Sequence, residues 1–466
     1  MLKLTTLEVA KIVSAKLIGA PDEVISGSVE TDSRMVSAGS LFVAKPGVET
    51  DGHLFIENAI ANGAVAALVE HQVQGDIPQL VVEDVVHALG VLAKYVVAEV
   101  KSKGKLQIVG VTGSNGKTTT KNMLRNILSS FGKTVAPQES FNNEVGAPYS
   151  MLQINEDTEY LVVELGADGP GSIRYLAQMC HPDVGIELKV GLAHAGEFGG
   201  IENTQRIKAE LVEELSSDSI ALLNADDAYV MQMQTMTKAK TITFGTQTDS
   251  NYYASDISVS LDGTRFFFHS PKNEAKQVQL QILGEHHVFN AMAALATADQ
   301  LQLDLDVAIK AIEAMPLAER WRMELHIRAD GLTLINDAYN ASPDSMKAAL
   351  QTLAELGRQT GKKTVAVLGE MAELGEYSKF EHDAMGRIAV RLNLGQLVVV
   401  GAGAKLIHMG ATQEGSWDGE SKYFEQITDA EVYLREMLTG EEIVLVKSSK
   451  SADLRYLGDA LLEENK

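Results

Sequence analysis

Residues 106–122, Leu-Gln-Ile-Val-Gly-Val-Thr-Gly-Ser-Asn-Gly-Lys-Thr-Thr-Thr-Lys-Asn, constrain the fold of this chain more than any other stretch. An apolar strand runs into a glycine-rich turn, then Lys117 and Thr118, then an amphipathic helix carrying Met123, Leu124, Ile127 and Leu128. In such a unit the backbone N–H groups of the turn and of the helix N-terminus converge on anionic oxygens. The expected phosphate cradle is Thr112, Gly113, Ser114, Asn115, Gly116, Lys117, Thr118 and Thr119, with Lys117 neutralising the outer phosphates and the Thr118 hydroxyl placed to ligate Mg²⁺. Gly113 and Gly116 supply backbone freedom that a Cβ would block. The first glycine of the usual pattern would fall at Val111; Gly110 stands one residue early, so the loop is a variant.

At 466 residues the chain exceeds what one core holds, and roughly three domains are expected. A net charge of −23 argues against a nucleic-acid partner, so phosphates must be held by locally placed Lys, Arg and Mg²⁺. Cys180 is the single cysteine, which excludes an internal disulfide and Cys-type zinc clusters and fits a reducing compartment. The N-terminus reads as a helix rather than a signal peptide: Thr5 and Glu8 have capping-box spacing, and Leu7, Ala10, Val13 and Leu17 share a face. No run of about 18 apolar residues occurs, so no membrane span is expected and the cytoplasm is the default location.

Three α/β segments follow from the alternation of strands and helices: 1–100, 101–316 and 317–466. The first ends in an apolar helix near 86–100, and the Lys-rich Lys101–Lys105 is a candidate linker. In the second, strands at 106–111, 160–165, 184–190, 219–223 and 240–244 predict a mainly parallel sheet. Tyr252–Val259, Thr264–His269 and Val278–Leu283 read as an antiparallel edge. Helices at 287–302 and 306–314 follow, the second ended by Pro316. In the third segment, strands at 331–336, 364–368, 396–400 and 442–446 predict a doubly wound, Rossmann-like sheet. Gly401-Ala402-Gly403 reads as a strand-to-helix turn. Cys180 and the run Met231–Met236 read as packing.

Several residues carry candidate chemistry. Glu164 ends an apolar strand beside the cradle, where a carboxylate can hold Mg²⁺ with Thr118. His194 sits in a glycine-rich loop after another strand, either as an ordinary polar residue or as a metal ligand. Lys208 lies on one helical stripe with Leu211, Val212 and Leu215. It either snorkels to the surface or is buried, and then must be paired, neutral or modified. A neutral lysine can take up CO₂ as a carbamate, turning a cation into a metal-binding anion. Gly284–Asn290 enters a helix, and Asn290 is placed either to bond a base edge or to cap. Arg322 can reach a phosphate from the third segment or form a surface ion pair.

Together these blocks resemble the Mur ligases, the ATP-dependent amide-forming enzymes of peptidoglycan precursor synthesis, over nearly the whole chain. Loop 112–119, Glu164, His194, Lys208, Asn290 and Arg322 occur in the family's order and spacing. Thr31-Asp32-Ser33-Arg34, Gly39–Ala44 and Asp51-Gly52-His53 look like the uridine-nucleotide-binding domain of some members. Ile335–Met346 and Leu368–Gly375 are similar to the member that adds D-alanyl-D-alanine, and the D-N-P-R block of the diaminopimelate-adding member is absent. The resemblance implies three domains: a small uridine-nucleotide-binding α/β domain, a central P-loop-type ATPase domain and a C-terminal Rossmann-like domain. It implies ATP and Mg²⁺ as cofactors, and UDP-N-acetylmuramoyl-tripeptide and D-alanyl-D-alanine as partners of a monomeric cytoplasmic ligase.

The same resemblance makes Lys117, His194 and Lys208 catalytic, with Lys208 carbamylated. It gives the metals to Thr118, Glu164, His194 and Lys208, and the nucleotide to the loop with Asn290, Arg322 and Asp337. Substrate contacts fall on Thr31, Asp32, Ser33, Arg34 and Lys45 in the first domain, Asn142 and Asn143 in the second, and Asn340 and Ser342 in the third. Two departures stand out: Ser342 occupies a position where Asn is common, and Val446-Lys447-Ser448-Ser449-Lys450-Ser451 replaces a K-G-S-R pattern, putting a point charge at Lys450 in place of a planar fork. The alternatives are another amide ligase of this architecture, or a switch in which ATP hydrolysis only drives a conformational change.

Overall fold

The computed structural model describes residues 1–47, 50–137, 140–192, 195–315, 320–414 and 420–463, without the side chains of 195 and 197. His194 and Pro316 therefore lie outside the described residues. Among the described residues the chain builds three α/β domains, each on its own main sheet.

The first sheet has the order Lys16–Ile18, Gln79–Val81, Ala64–Val69, Ser40–Val43, Val29–Glu30, parallel except for its first pair. The Thr5–Glu8 capping box forms, but its helix, Thr6–Ile12, stops early because Lys16–Ile18 pairs as an edge strand. The buried face is Thr6, Val9, Ala10 and Val13, and Leu7 points outward. Ala10 and Val13 of the expected stripe are buried, whereas its two ends depart from it, Leu7 facing outward and Leu17 lying on the edge strand. The apolar helix Val85–Ser102 runs through the start of the expected Lys-rich linker, where Lys101 pairs with Asp183 at 2.9 Å.

Among the described residues the central sheet has nine strands. Its middle strand, Gln107–Thr112, lies between Tyr160–Glu164 and Val184–Glu187, both parallel to it. The predicted antiparallel edge forms from Tyr252–Ser260, Gly263–His269 and Lys276–Leu280. The run read as one strand over 184–190 leaves its ladder after Glu187, and the Lys189 carbonyl instead accepts the Ser114 N–H at 2.7 Å. The helices Lys117–Ser129 and His286–Gln300 cover one face of this sheet, and Ile201–Glu213 lies on the other. Cys180 is buried with its thiol pushed up to about 12 by desolvation, as packing requires. Met233 is buried too, whereas Met236 is exposed.

The third sheet has the order Glu324–Ile327, Thr333–Asn336, Glu442–Lys447, Lys363–Leu368, Gln396–Val400, Ser421–Phe424, antiparallel only at its first pair. This is a doubly wound arrangement whose strand ends face the cradle of the central domain. Gly401–Gly403 forms the expected strand-to-helix turn.

Candidate active site

The cradle is built by the end of Gln107–Thr112 and the start of Lys117–Ser129. Gly113 and Gly116 have φ of 148° and 87°, and a Cβ on Gly116 would overlap Asn290 Oδ1. The loop is braced on every side. Thr112 Oγ1 donates to the Leu165 carbonyl at 2.8 Å, and Ser114 Oγ accepts the Gly191 N–H at 2.9 Å. Lys117 Nζ donates to the Gly113 carbonyl at 2.7 Å, and burial holds its pKa below the ordinary lysine value against the pull of Glu164. Thr118 Oγ1 lies 3.5 Å from Glu164 Oε1, and Thr119 is buried beside it.

Strand register explains why two acids gather here. Glu164 sits opposite Val111 and Glu187 opposite Thr112, at the carboxyl edge of the sheet. Side-chain alternation sends Glu164 to the face of helix Lys117–Ser129 and Glu187 to the face of helix Ile201–Glu213. Glu164 accepts from Asn142 Nδ2 at 2.9 Å through Oε1, while its buried Oε2 has no protein partner. One hydroxyl, one carboxylate and an orphaned carboxylate oxygen suit Mg²⁺, which takes few protein ligands and completes its shell with water and phosphate. Among the described residues no cluster of three His, Cys, Asp or Glu side chains forms a self-sufficient metal site.

Lys208 is 2% exposed, so the snorkelling reading fails. Burial, helped by Lys117, depresses it to about 7 against the opposing fields of Glu187 and Glu164. Glu187, not singled out from sequence, is fully buried with both oxygens unpartnered, and desolvation raises it well above the usual carboxylate range. Its signal was available: like Glu164, it is a carboxylate at the end of an apolar strand.

The central and third domains meet over the loop. A cavity of about 270 Å³ is bounded by Lys117, Thr118 and Glu164 on one side and by Arg322, Asp337 and Lys447 on the other. A neighbouring cavity of about 190 Å³ opens between Leu188, Asn224, Phe289, Asn290 and Asp344. Asn290 is a strut as well as a wall: its Oδ1 accepts from Thr120 Oγ1 at 3.3 Å, and its Nδ2 donates to His287 Nδ1 at 3.2 Å. Arg322 stands between two residues with left-handed backbone, Trp321 (φ 63°) and Met323 (φ 50°), and its guanidinium lies 4.2 Å over the Tyr339 ring. The Asp337 carboxylate is engaged at both oxygens, by the Met323 N–H at 3.0 Å and by Lys447 Nζ at 2.5 Å. Ser342 caps helix Pro343–Thr360 and donates to Asn115 Oδ1 at 3.1 Å, and Lys189 pairs with Asp344 at 2.9 Å.

Of the residues expected to touch peptide substrate, Asn142 and Asn340 line the larger cavity and Ser342 reaches the loop. Asn143 lines neither cavity, and its Oδ1 accepts the Gly146 N–H at 2.9 Å at the start of helix Gly146–Met151. Thr31, Asp32, Ser33, Arg34 and Lys45 lie on the first domain and line neither cavity. Asp32 and Arg34 pair with each other at 2.6 Å at the surface, and Ser33 is buried. The adjoining Glu30 reaches across to Tyr149 of the central domain. The Lys450 ammonium lies 5.6 Å over the same Tyr339 ring.

Three family models cover most of the chain: "Mur ligase family, catalytic domain" over 27–101, "Mur ligase middle domain" over 111–298 and "Mur ligase, glutamate ligase domain" over 321–450. The chain is 39% identical to UDP-N-acetylmuramoyl-tripeptide–D-alanyl-D-alanine ligase of Mycobacterium leprae over 99% of each chain, and 32% identical to that of Bacillus subtilis over 99% of each. A crystal structure of MurF from Acinetobacter baumannii matches with a TM-score of 0.89 at 31% identity, over 99% of both chains. MurF ligase from Thermotoga maritima in complex with ADP matches with a TM-score of 0.80 at 27% identity, over 94% of this chain and 97% of that one.

Proposed function

Since the chain belongs to the Mur ligase family, we propose that it is the ATP-dependent ligase that joins D-alanyl-D-alanine to UDP-N-acetylmuramoyl-tripeptide in peptidoglycan precursor synthesis. The observation that carries this reading is the contact of the segment Asp337–Ser345 with the phosphate loop through Ser342 and Asn115. It brings the part of the third domain that resembles the dipeptide-adding enzyme to the place where phosphate chemistry occurs.

The peptide carboxylate attacks the γ-phosphorus of ATP, the bond to ADP breaks, and an acyl phosphate forms. The dipeptide amine then attacks the acyl carbon, losing a proton, and inorganic phosphate departs. Catalysis is mostly positioning and charge stabilisation. Lys117 and the helix N-terminus neutralise the outer phosphates, and Arg322 approaches from the third domain. Thr118 and Glu164 would hold one Mg²⁺, and His194 with a carbamate on Lys208 would hold a second; such ions would supply charge neutralisation at the phosphates. Asn290 and Asp337 frame the nucleotide, while Asn142, Asn143, Asn340 and Ser342 face the peptidic substrates. Thr31–Arg34 and Lys45 take the uridine nucleotide on the first domain. The contacts of the third domain with the loop exclude water from an acyl phosphate that hydrolyses readily. The working divisions are 1–100, 101–316 and 317–466. In this reading the enzyme works as a monomer in the cytoplasm, where ATP and UDP-linked precursors occur.

The test is phosphate release with ATP, Mg²⁺ and UDP-N-acetylmuramoyl-tripeptide, with and without D-alanyl-D-alanine, and the mass of the product. Release that depends on the dipeptide, with a product heavier by one dipeptide minus water, is expected. Release indifferent to both substrates would sink the ligase reading in favour of a switch.

A further inference from the structure

His287 has no role in the reading above, yet its side chain is set with unusual care. It is the second residue of helix His286–Gln300, is 6% exposed and lines the larger cavity. Its Nδ1 receives the Asn290 Nδ2–H at 3.2 Å, and Asn290 is oriented by Thr120, whose hydroxyl donates to Asn290 Oδ1 at 3.3 Å. An imidazole nitrogen that accepts carries no proton, so a neutral ring must carry its hydrogen on Nε2. Burial above all, with the adjacent His286 and then Arg322 and Lys447, keeps the ring neutral, well below the ordinary histidine range. The relay from Thr120 through Asn290 therefore leaves one N–H donor at Nε2. That atom is buried and has no partner among the described residues.

A buried donor without an acceptor is rare in a folded protein and costly to maintain. The walls around this one carry three cations, Lys117, Arg322 and Lys447, against two carboxylates, Glu164 and Asp337, the latter already paired with Lys447. The acceptor that such surroundings select is an anionic oxygen. We propose that His287, through its Nε2–H, is a neutral hydrogen-bond donor to a phosphate oxygen in the cleft between the phosphate loop and the third domain. A neutral donor suits this position. It adds a directed contact without another positive charge beside Arg322, and the Thr120–Asn290 relay holds it in place before any ligand arrives. Which phosphate it serves, that of the nucleotide or that of the acyl phosphate, rests on the ligase reading; the donor itself does not.

Two substitutions separate these cases in the full-length protein. His287→Asn keeps a polar group near Nδ1 for Asn290 but removes the distal donor, and His287→Gln places an amide N–H near the position of Nε2. Each variant is titrated with Mg·ADP and with the non-hydrolysable Mg·AMP-PCP, and assayed for dipeptide-dependent phosphate release. If the donor serves the nucleotide, His287→Asn raises the Kd for these ligands by about tenfold or more, the size expected for one hydrogen bond to a charged acceptor. If it serves the acyl phosphate, Kd stays put and kcat falls by a similar factor. In either case His287→Gln recovers most of the loss, which a packing role would not predict. The proposal is overturned if His287→Asn matches the parent within about twofold in both Kd and kcat. It is equally overturned if Asn and Gln are impaired alike with a lowered Tm, since the ring would then be structural or would hold only a water. Failure of the ligase reading shows separately, in the parent, as phosphate release indifferent to the dipeptide, while the nucleotide titrations still report on His287.

Discussion

Lys208 shows how far residue type and spacing reach. Its place on a stripe with Leu211 and Val212 says that it faces inward, but a lysine stem is long enough to escape, and the helical pattern cannot tell whether it does. The answer lies in what covers the stripe: Gly185, whose missing side chain lets Leu211 and Leu215 close on the sheet, and Glu187 beside it. At 2% exposure the ammonium has no route to solvent, and its depressed pKa leaves much of it as the free amine that CO₂ requires. Lys208→Ala is therefore expected to abolish ligation, and added bicarbonate is expected not to restore it. Full activity in that variant, by the phosphate-release assay, would remove the carbamate from the mechanism. Glu187 was equally visible as a strand-end carboxylate. It was passed over because its significance depends on register, which puts it opposite Thr112 at the edge of the cradle.

At the scale of elements, helices announced themselves by their caps and strands by their apolar runs. Both ends of that rule can be checked on single helices. The Thr5–Glu8 box starts the first helix as expected, yet the strand Lys16–Ile18 cuts that helix short, because edge pairing with Gln79–Val81 outweighs a marginal last turn. Helix Pro343–Thr360 begins at Ser342, whose hydroxyl accepts the Ser345 N–H and donates to Asn115. Ser342→Ala should lower stability by roughly 0.5–2 kcal/mol, the usual cost of losing an N-cap. It should also weaken Mg·ADP binding through the loosened loop. Ser342→Asn, which can still cap, should keep the stability. Denaturant unfolding and nucleotide titration read the two effects apart, and an unchanged melt for Ser342→Ala would show that the cap contributes nothing here.

Across the whole molecule the domains are less separate than their composition suggests. Helix Val85–Ser102, predicted to end the first domain, packs on both the first sheet and helices Gly146–Met151 and Ser172–Cys180 of the second, within one continuous apolar cluster. Leu92, at its centre, is fully buried, and Leu92→Ala should cost about 2–5 kcal/mol from lost burial and the cavity left behind. A melt that loses only the first domain's transition would instead show that the two domains unfold independently. On the other side, Lys189–Asp344 and Ser342–Asn115 join the second domain to the third, where a Cβ on Gly191 would strike the Asp344 carboxylate. The sequence alone determined the strand–turn–helix cradle, the α/β class of all three domains, the family and most of the residues that line the cleft over the loop, because propensity, periodicity and loop chemistry are local. Tertiary structure alone decided that Lys208 is buried, that Glu187 faces it, that Asp337 is held by Lys447, and that the His287 Nδ1 accepts from Asn290, which Thr120 orients. Each of these depends on a partner that is distant in the chain or on a sheet register, and no window of sequence contains both halves of such a contact.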